Sequence, residues 1–182
     1  LPGKHNVMNA LAALAMADVY GVSLKNIKNS LSNFKGVKRR FSYKIKEEDF
    51  VLIDDYAHHP TEIKAVQNSV REMYPKEKVL AVFQPHLFSR TQDFANDFAS
   101  ALSKFDRVAL LDIYPASEKP IKGISSKKLA SQILKNHKNV HYIGKKDPMN
   151  WLQENHQDFS ILITQGAGTI SKLNKKIKKK WQ

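Results

Sequence analysis

An α/β fold is predicted, a Rossmann-like, doubly wound and mostly parallel six-stranded sheet preceded by a helical pair, and three observations predict it. Short apolar runs alternate with amphipathic segments of helical period from residue 41 onward. The runs at 51–53, 79–83, 108–111 and 161–163 are continuous rather than alternating, which marks strands buried on both faces. Polar clusters follow the ends of those runs, where open α/β sheets place ligands.

Each element has its own signal. Residues 6–20 carry Val7, Ala10, Leu11, Leu14 and Met16 on one helical face, with Asn6 placed to cap the helix and Gly21 to stop it. Ser23 caps a second, shorter helix bearing Leu24, Ile27, Leu31 and Phe34, and Gly36 ends it. Two such helices cannot bury a core alone. They are assigned to a preceding domain, residues 1–36, with a linker at 37–41 and the sheet domain at 42–182. A strand over 41–46 is followed by the acidic turn Glu47-Glu48-Asp49, a strand over 50–55 and a helix over 61–74. A strand over 78–83 precedes a helix over 92–104. A strand over 107–112 leads through a Pro- and Gly-containing loop to a helix over 126–136. Strands over 139–143 and 159–164 precede helices over 148–154 and 169–180, the last entered through Gly166-Ala167-Gly168.

Composition narrows the function classes. A hydrophobic content of 42% with 26% charged residues is that of a globular protein. No apolar run approaches the ~18 residues of a membrane span. The chain has no cysteine, which excludes disulfides, thiol catalysis and Cys-ligated zinc and is compatible with a reducing cytoplasm. The start Leu1-Pro2-Gly3 is neither a secretory signal nor an initiator Met, so a fragment or processed product is expected. The net charge of +13 raises nucleic acid as a partner, but only five of the 30 basic residues are Arg. Specific phosphate and base recognition favours the Arg fork. Much of the Lys excess lies between Lys172 and Lys180, where it suits a helix C-terminus. Attraction of anionic small molecules is the expectation, with no nucleic acid and no membrane as partners.

The densest chemistry is Asp54-Asp55-Tyr56-Ala57-His58-His59-Pro60-Thr61-Glu62, directly after an apolar strand. A metal-dependent phosphoesterase would use such an Asp/His cluster. Adjacent His point apart on regular structure, however, and the spacing is not a zinc pair, so no metal site is expected. One His of the pair is a candidate helix cap. Phe83-Gln84-Pro85-His86-Leu87-Phe88-Ser89-Arg90-Thr91 follows the next strand. Arg90 is either a carboxylate clamp or a surface ion pair with Asp93 or Glu62. Gly166-Ala167-Gly168 is either an anion cradle or a tight turn, and no Walker-type phosphate loop occurs in the chain. Arg39 and Arg40 lie in the linker, free to be solvated or to reach an anion held between domains.

These runs, with Gly3-Lys4-His5-Asn6-Val7-Met8-Asn9-Ala10, Gly36-Val37-Lys38-Arg39-Arg40-Phe41 and Asp112-Ile113-Tyr114-Pro115-Ala116, occur in an order that resembles the C-terminal portion of the bacterial Mur ligases. The resemblance spans the whole chain. It is closest to the member that adds L-alanine to UDP-N-acetylmuramate in peptidoglycan precursor synthesis, and so serves cell wall biogenesis, cell shape and cell division in the cytoplasm. A member that recycles murein tripeptide is the alternative; it shares the His-Asn-x-x-Asn and His-His-Pro elements. A basic nucleic-acid-binding module is the alternative from another class. The resemblance implies ATP-dependent amide formation through an acyl phosphate, with ATP and Mg2+ held mainly by a central domain absent from this chain. A fragment of this kind is expected to be inactive alone. By the same resemblance, Asn6 and Asn9 face adenine, Arg40 reaches the ATP phosphates, and Asp55 holds the ribose and the closed hinge. Tyr56, His58, His86 and Arg90 line the alanine side, with His58 a candidate proton acceptor. Many members carry Arg-Tyr where this chain has Leu87-Phe88, which puts more weight on Arg90.

Overall fold

The computed structural model describes residues 2–144 and 147–181. Six strands form one sheet in the order β1-β2-β6-β3-β4-β5. They are β1 (Ser42–Lys46), β2 (Val51–Asp55), β3 (Val79–Phe83), β4 (Arg107–Leu110), β5 (Val140–Tyr142) and β6 (Ile161–Gln165). β1 runs antiparallel to β2 and every other pairing is parallel. The predicted α/β class and the mostly parallel six-stranded sheet are therefore both present. The last strand in sequence lies in the middle of the sheet, between β2 and β3.

The period-2 geometry of strands explains the two apolar layers. Val51, Ile53, Val79, Ala81, Phe83, Ile161 and Ile163 share one cluster with Ile63, Val70, Phe98, Leu102 and Ile133. Those partners come from α3 (Pro60–Met73), α5 (Ala95–Leu102) and α6 (Ser126–Ile133). The alternate residues Leu52, Leu80, Val82 and Leu162 share the second cluster with Trp151, Leu152, Leu173 and Ile177. These come from α7 (Pro148–Asn155) and α8 (Ser171–Trp181). Helices thus cover both faces, and each fully buried aliphatic side chain contributes roughly 1.5–3 kcal/mol.

The opening helices are differently placed. α1 (Lys4–Val19) has no buried residue, and Val7, Met8, Leu11 and Met16 are 65%, 54%, 56% and 58% exposed. α2 (Leu24–Asn33) buries only Ile27. Three local expectations are corrected. The N-cap of α1 is Gly3, and Asn6 lies inside the first turn, where its amide donates to Pro2 O at 2.6 Å. α2 ends at Phe34, which is extended, so Gly36 lies beyond the stop. The single helix expected over 92–104 is two helices, α4 (Phe88–Asp93) and α5, meeting at Phe94. Phe94, at the break, packs on the core and against the His59 ring, 4.7 Å between centroids. Ser23 does cap α2, and Gly21 closes α1 with paired bonds from Gly21 N to Asp18 O and Val22 N to Ala17 O.

Candidate functional site at the carboxyl rim of the sheet

Parallel register brings the chemistry together. Asp55 pairs with Gln165 and Gln165 with Phe83, so β2, β6 and β3 end at one level. The residues that follow, Tyr56, Gly166 and Gln84, form a common rim.

Asp55 anchors the linker to this rim. Its buried carboxylate accepts from Phe41 N and Ala57 N, both at 2.7 Å. Burial pushes its pKa up, against the opposing pull of those two N–H groups and Arg40. The linker pays backbone strain for this attachment: Arg39 and Phe41 have φ of 60° and 44°, where β-carbon sterics disfavour them. Phe41 therefore stands outside β1, which starts at Ser42, one residue later than expected from the sequence.

Arg39 makes the deeper contact of the two linker arginines. Its guanidinium donates to Gly166 O, its Nε lies 3.7 Å from Asp54 Oδ1, and it stacks on Tyr56 at 4.8 Å. Arg40 is half exposed, 5.8 Å from the Tyr56 centroid and 3.8 Å from Glu62 Oε1. An exposed guanidinium with one loose partner can take a phosphate; Arg39, 22% exposed and committed to a carbonyl, cannot without giving up that bond.

A row of rings crosses the rim. Tyr56 meets His58 at 5.2 Å, His58 meets His86 at 5.8 Å, and His86 stacks on Tyr114 at 5.5 Å. His58 Nδ1 lies 2.9 Å from Tyr56 O and 3.4 Å from Glu62 Oε2. His59 is the helix cap: it accepts from Thr61 N, while Glu62 accepts from His58 N and His59 N. Arg90 Nη1 approaches His86 Nδ1 to 3.4 Å, and the ion pairs among the described residues do not include Arg90. Glu62 pairs with Arg40 and His58 instead. Burial first, then the charge of Arg90 and His58, lowers the His86 pKa.

Gln84 closes the glycine turn. Its Oε1 accepts from Ile170 N at 2.9 Å and its amide donates to Thr169 Oγ1 at 3.3 Å. Gly166 has φ 145°, and a β-carbon there would stand 2.7 Å from Gln84 O. Gly168 leaves the same little room beside Gln84 Oε1 and the Tyr114 ring.

Of the sequence candidates, Arg40, Asp55, Tyr56, His58, His86 and Arg90 come together. Asn6 and Asn9 sit on α1 and share no hydrogen bond with the rim among the described residues. Sequence reasoning passed over Gln84 and Tyr114 as individual site residues and offered Arg39 only jointly with Arg40, without the bond to Gly166 O. Their signals were present: Arg39 adjoins Arg40, and the other two lie inside motifs already quoted. Among the described residues no cluster of three or more His, Asp or Glu converges on a metal position. The rim's guanidinium and imidazole groups fit anions, and its carboxylates Asp54, Asp55 and Glu62 are engaged by Arg39, Lys44, Arg40, His58 and backbone N–H groups.

A mostly parallel sheet with helices on both faces, whose carboxyl rim gathers guanidinium and imidazole side chains, is an α/β domain of the Rossmann type, a fold in which ligands sit at that rim. The chain belongs to the Mur ligase family: the Mur ligase, glutamate ligase domain matches residues 39–168. It is 58% identical over 179 residues to the UDP-N-acetylmuramate–L-alanine ligase of Christiangramia forsetii and 56% identical to that of Flavobacterium psychrophilum. In each case 98% of this chain aligns with 39% of the relative, so the chain spans about two fifths of their length. The crystal structure of the UDP-N-acetylmuramate–alanine ligase of Thermotoga maritima superposes with a TM-score of 0.81 at 28% identity, over 100% of this chain and 39% of that one. A murein peptide ligase from Psychrobacter arcticus shares the fold at a TM-score of 0.72 and 21% identity, over 97% of this chain and 37% of that one.

Proposed function

We propose that this chain is the C-terminal part of a bacterial, cytoplasmic, ATP-dependent ligase that joins L-alanine to UDP-N-acetylmuramate in peptidoglycan precursor synthesis. Residues 1–36 belong to the central ATP-binding domain, 37–41 to a linker and 42–182 to the amino-acid-binding domain. The observation that carries the reading is the Arg90–His86 pair beside Tyr56 and His58, on the same rim as the linker anchor Asp55.

The chemistry follows from charge. The γ-phosphoryl group of ATP passes to the lactyl carboxylate, releasing ADP and leaving an acyl phosphate, and the alanine amine then displaces phosphate to form the amide; Mg2+, held mainly outside this chain, would offset the phosphate charge. In this chain Arg90 binds the alanine carboxylate, both oxygens on one guanidinium. His86, kept neutral by its surroundings, and His58 lie beside that clamp, where they orient the amine and accept its proton. Arg40 approaches the nucleotide phosphates, Asn6 and Asn9 the adenine, and Asp55 the ribose while it holds the linker.

Steady-state kinetics on the full-length ligase test this. Phosphate release should require ATP, UDP-N-acetylmuramate and L-alanine together, and the 182-residue chain alone should release none. Arg90→Lys should raise the alanine KM at least ~10-fold, equivalent to ~1.4 kcal/mol, with little change in the ATP KM. Release driven by a murein tripeptide instead of L-alanine would sink the reading in favour of a recycling ligase.

A further inference from the structure

The turn that presents His86 and Arg90 lacks an ordinary helix start. Its N-cap is Leu87, an apolar residue at φ 72° and ψ 137° that gives no side-chain cap bond. Arg90 lies in the first turn of α4, three residues on, so an ill-held start would leave the guanidinium loosely placed.

The missing cap arrives from another element. Glu118 lies on the loop between β4 and α6, 29 residues from Ser89 in sequence. One carboxylate oxygen accepts from Ser89 N at 3.1 Å and the other from Ser89 Oγ at 2.5 Å. Those bonds lower the Glu118 pKa, so the carboxylate is charged at neutral pH. The same loop is zipped to the turn by backbone bonds, Leu87 N to Tyr114 O at 2.9 Å and Tyr114 N to Pro85 O at 2.8 Å. Tyr114 adds its ring stack on His86. Leu87 in this zipper and Ala116, two residues past Tyr114 on the same loop, have positive φ of 72° and 52°. Strain of this kind persists only where surrounding contacts over-determine the backbone.

We propose that Glu118 is a positioning residue: it caps α4 in trans and thereby fixes Arg90 and His86 for the amino-acid carboxylate. The inference rests on the alanine-clamp reading for its kinetic consequence, while the cap itself does not. Glu118 touches no substrate in this scheme. Its effect travels through Ser89 and the first turn of α4.

Two measurements separate the parts. Amide hydrogen exchange on the 182-residue chain should show the Ser89–Thr91 amides exchanging ~10-fold faster or more in Glu118→Gln, with the strand amides unchanged. In the full-length ligase, Glu118→Gln should raise the alanine KM ~3–10-fold at constant ATP KM. Combined with Arg90→Lys it should add little to the effect of Arg90→Lys alone, because both act on one contact. Glu118→Asp should recover part of the loss. Unchanged exchange at α4 overturns the cap. Faster exchange with an alanine KM that responds to Arg90→Lys but not to Glu118→Gln overturns the positioning role. Faster exchange with an alanine KM indifferent to both variants supports the cap and overturns the alanine-clamp reading instead.

Discussion

At the scale of residues, the rim is a set of competing charges resolved by burial. His86 is the clearest case. Burial, Arg90 and His58 all disfavour its protonated form, and Glu118 opposes them weakly. Its folded pKa lies below the ordinary 6.5, so the unfolded chain takes up its proton first as pH falls. The stability that a neutral His86 permits is present above pH 6.5 and is lost as pH drops through the lowered folded value. His86→Gln should therefore lose less stability than the parent chain between about pH 7.5 and about pH 5. Urea midpoints at the two pH values decide it. Parallel losses in both proteins would assign the acid sensitivity to other groups, such as His141, whose pKa is also lowered by burial.

At the scale of elements, the glycine turn after β6 is held on three sides. Gly166 O accepts from Arg39, Gln84 O blocks a β-carbon at 2.7 Å, and φ of 145° disfavours any side chain. Gly166→Ala should cost about 1–3 kcal/mol in urea denaturation and loosen the Arg39 contact. An unchanged midpoint would mean that the turn relaxes freely and does not fix the linker. The strands were legible in sequence because continuous runs such as Val79–Phe83 leave no other period, and their ends were placed to within a residue or two. The break at Phe94 was not legible in local periodicity, and its ring contact with His59, 35 positions away, is a tertiary contact that periodicity does not register. The His59 cap was foreseen as one option, since Pro60 and Glu62 stand where a helix start needs them. Arg39 was harder. Two adjacent arginines look alike in sequence, and only the positive φ at Arg39 turns one inward to Gly166 and leaves Arg40 half exposed. The six clustered candidates came from the family resemblance; the strand pattern pointed on its own only to polar clusters around Asp55, His58, His86 and Arg90, because parallel strands must end together. Asn6 and Asn9 lie on α1 and share no hydrogen bond with the rim among the described residues, so nothing in this chain tests their expected adenine contact.

At the scale of the whole molecule, two layers of helices enclose the sheet, while α1 and α2 show apolar side chains to solvent. Residues 42–182 should fold and unfold as one unit, with amides of α1 and α2 exchanging well before those of β2, β3 and β6. Exchange protection equal across residues 4–33 and the sheet would contradict a boundary near Phe41.

The central position of β6 also has a consequence for synthesis. A ribosome that has exposed the chain only as far as β5 holds two partial sheets, β1-β2 and β3-β4-β5, whose inner edges have no partner. Open edges of that kind recruit other chains. The keystone strand emerges after everything it joins, so the domain completes its fold late, in one step, and messages truncated ahead of Ile161 yield products with both halves of the sheet unpaired.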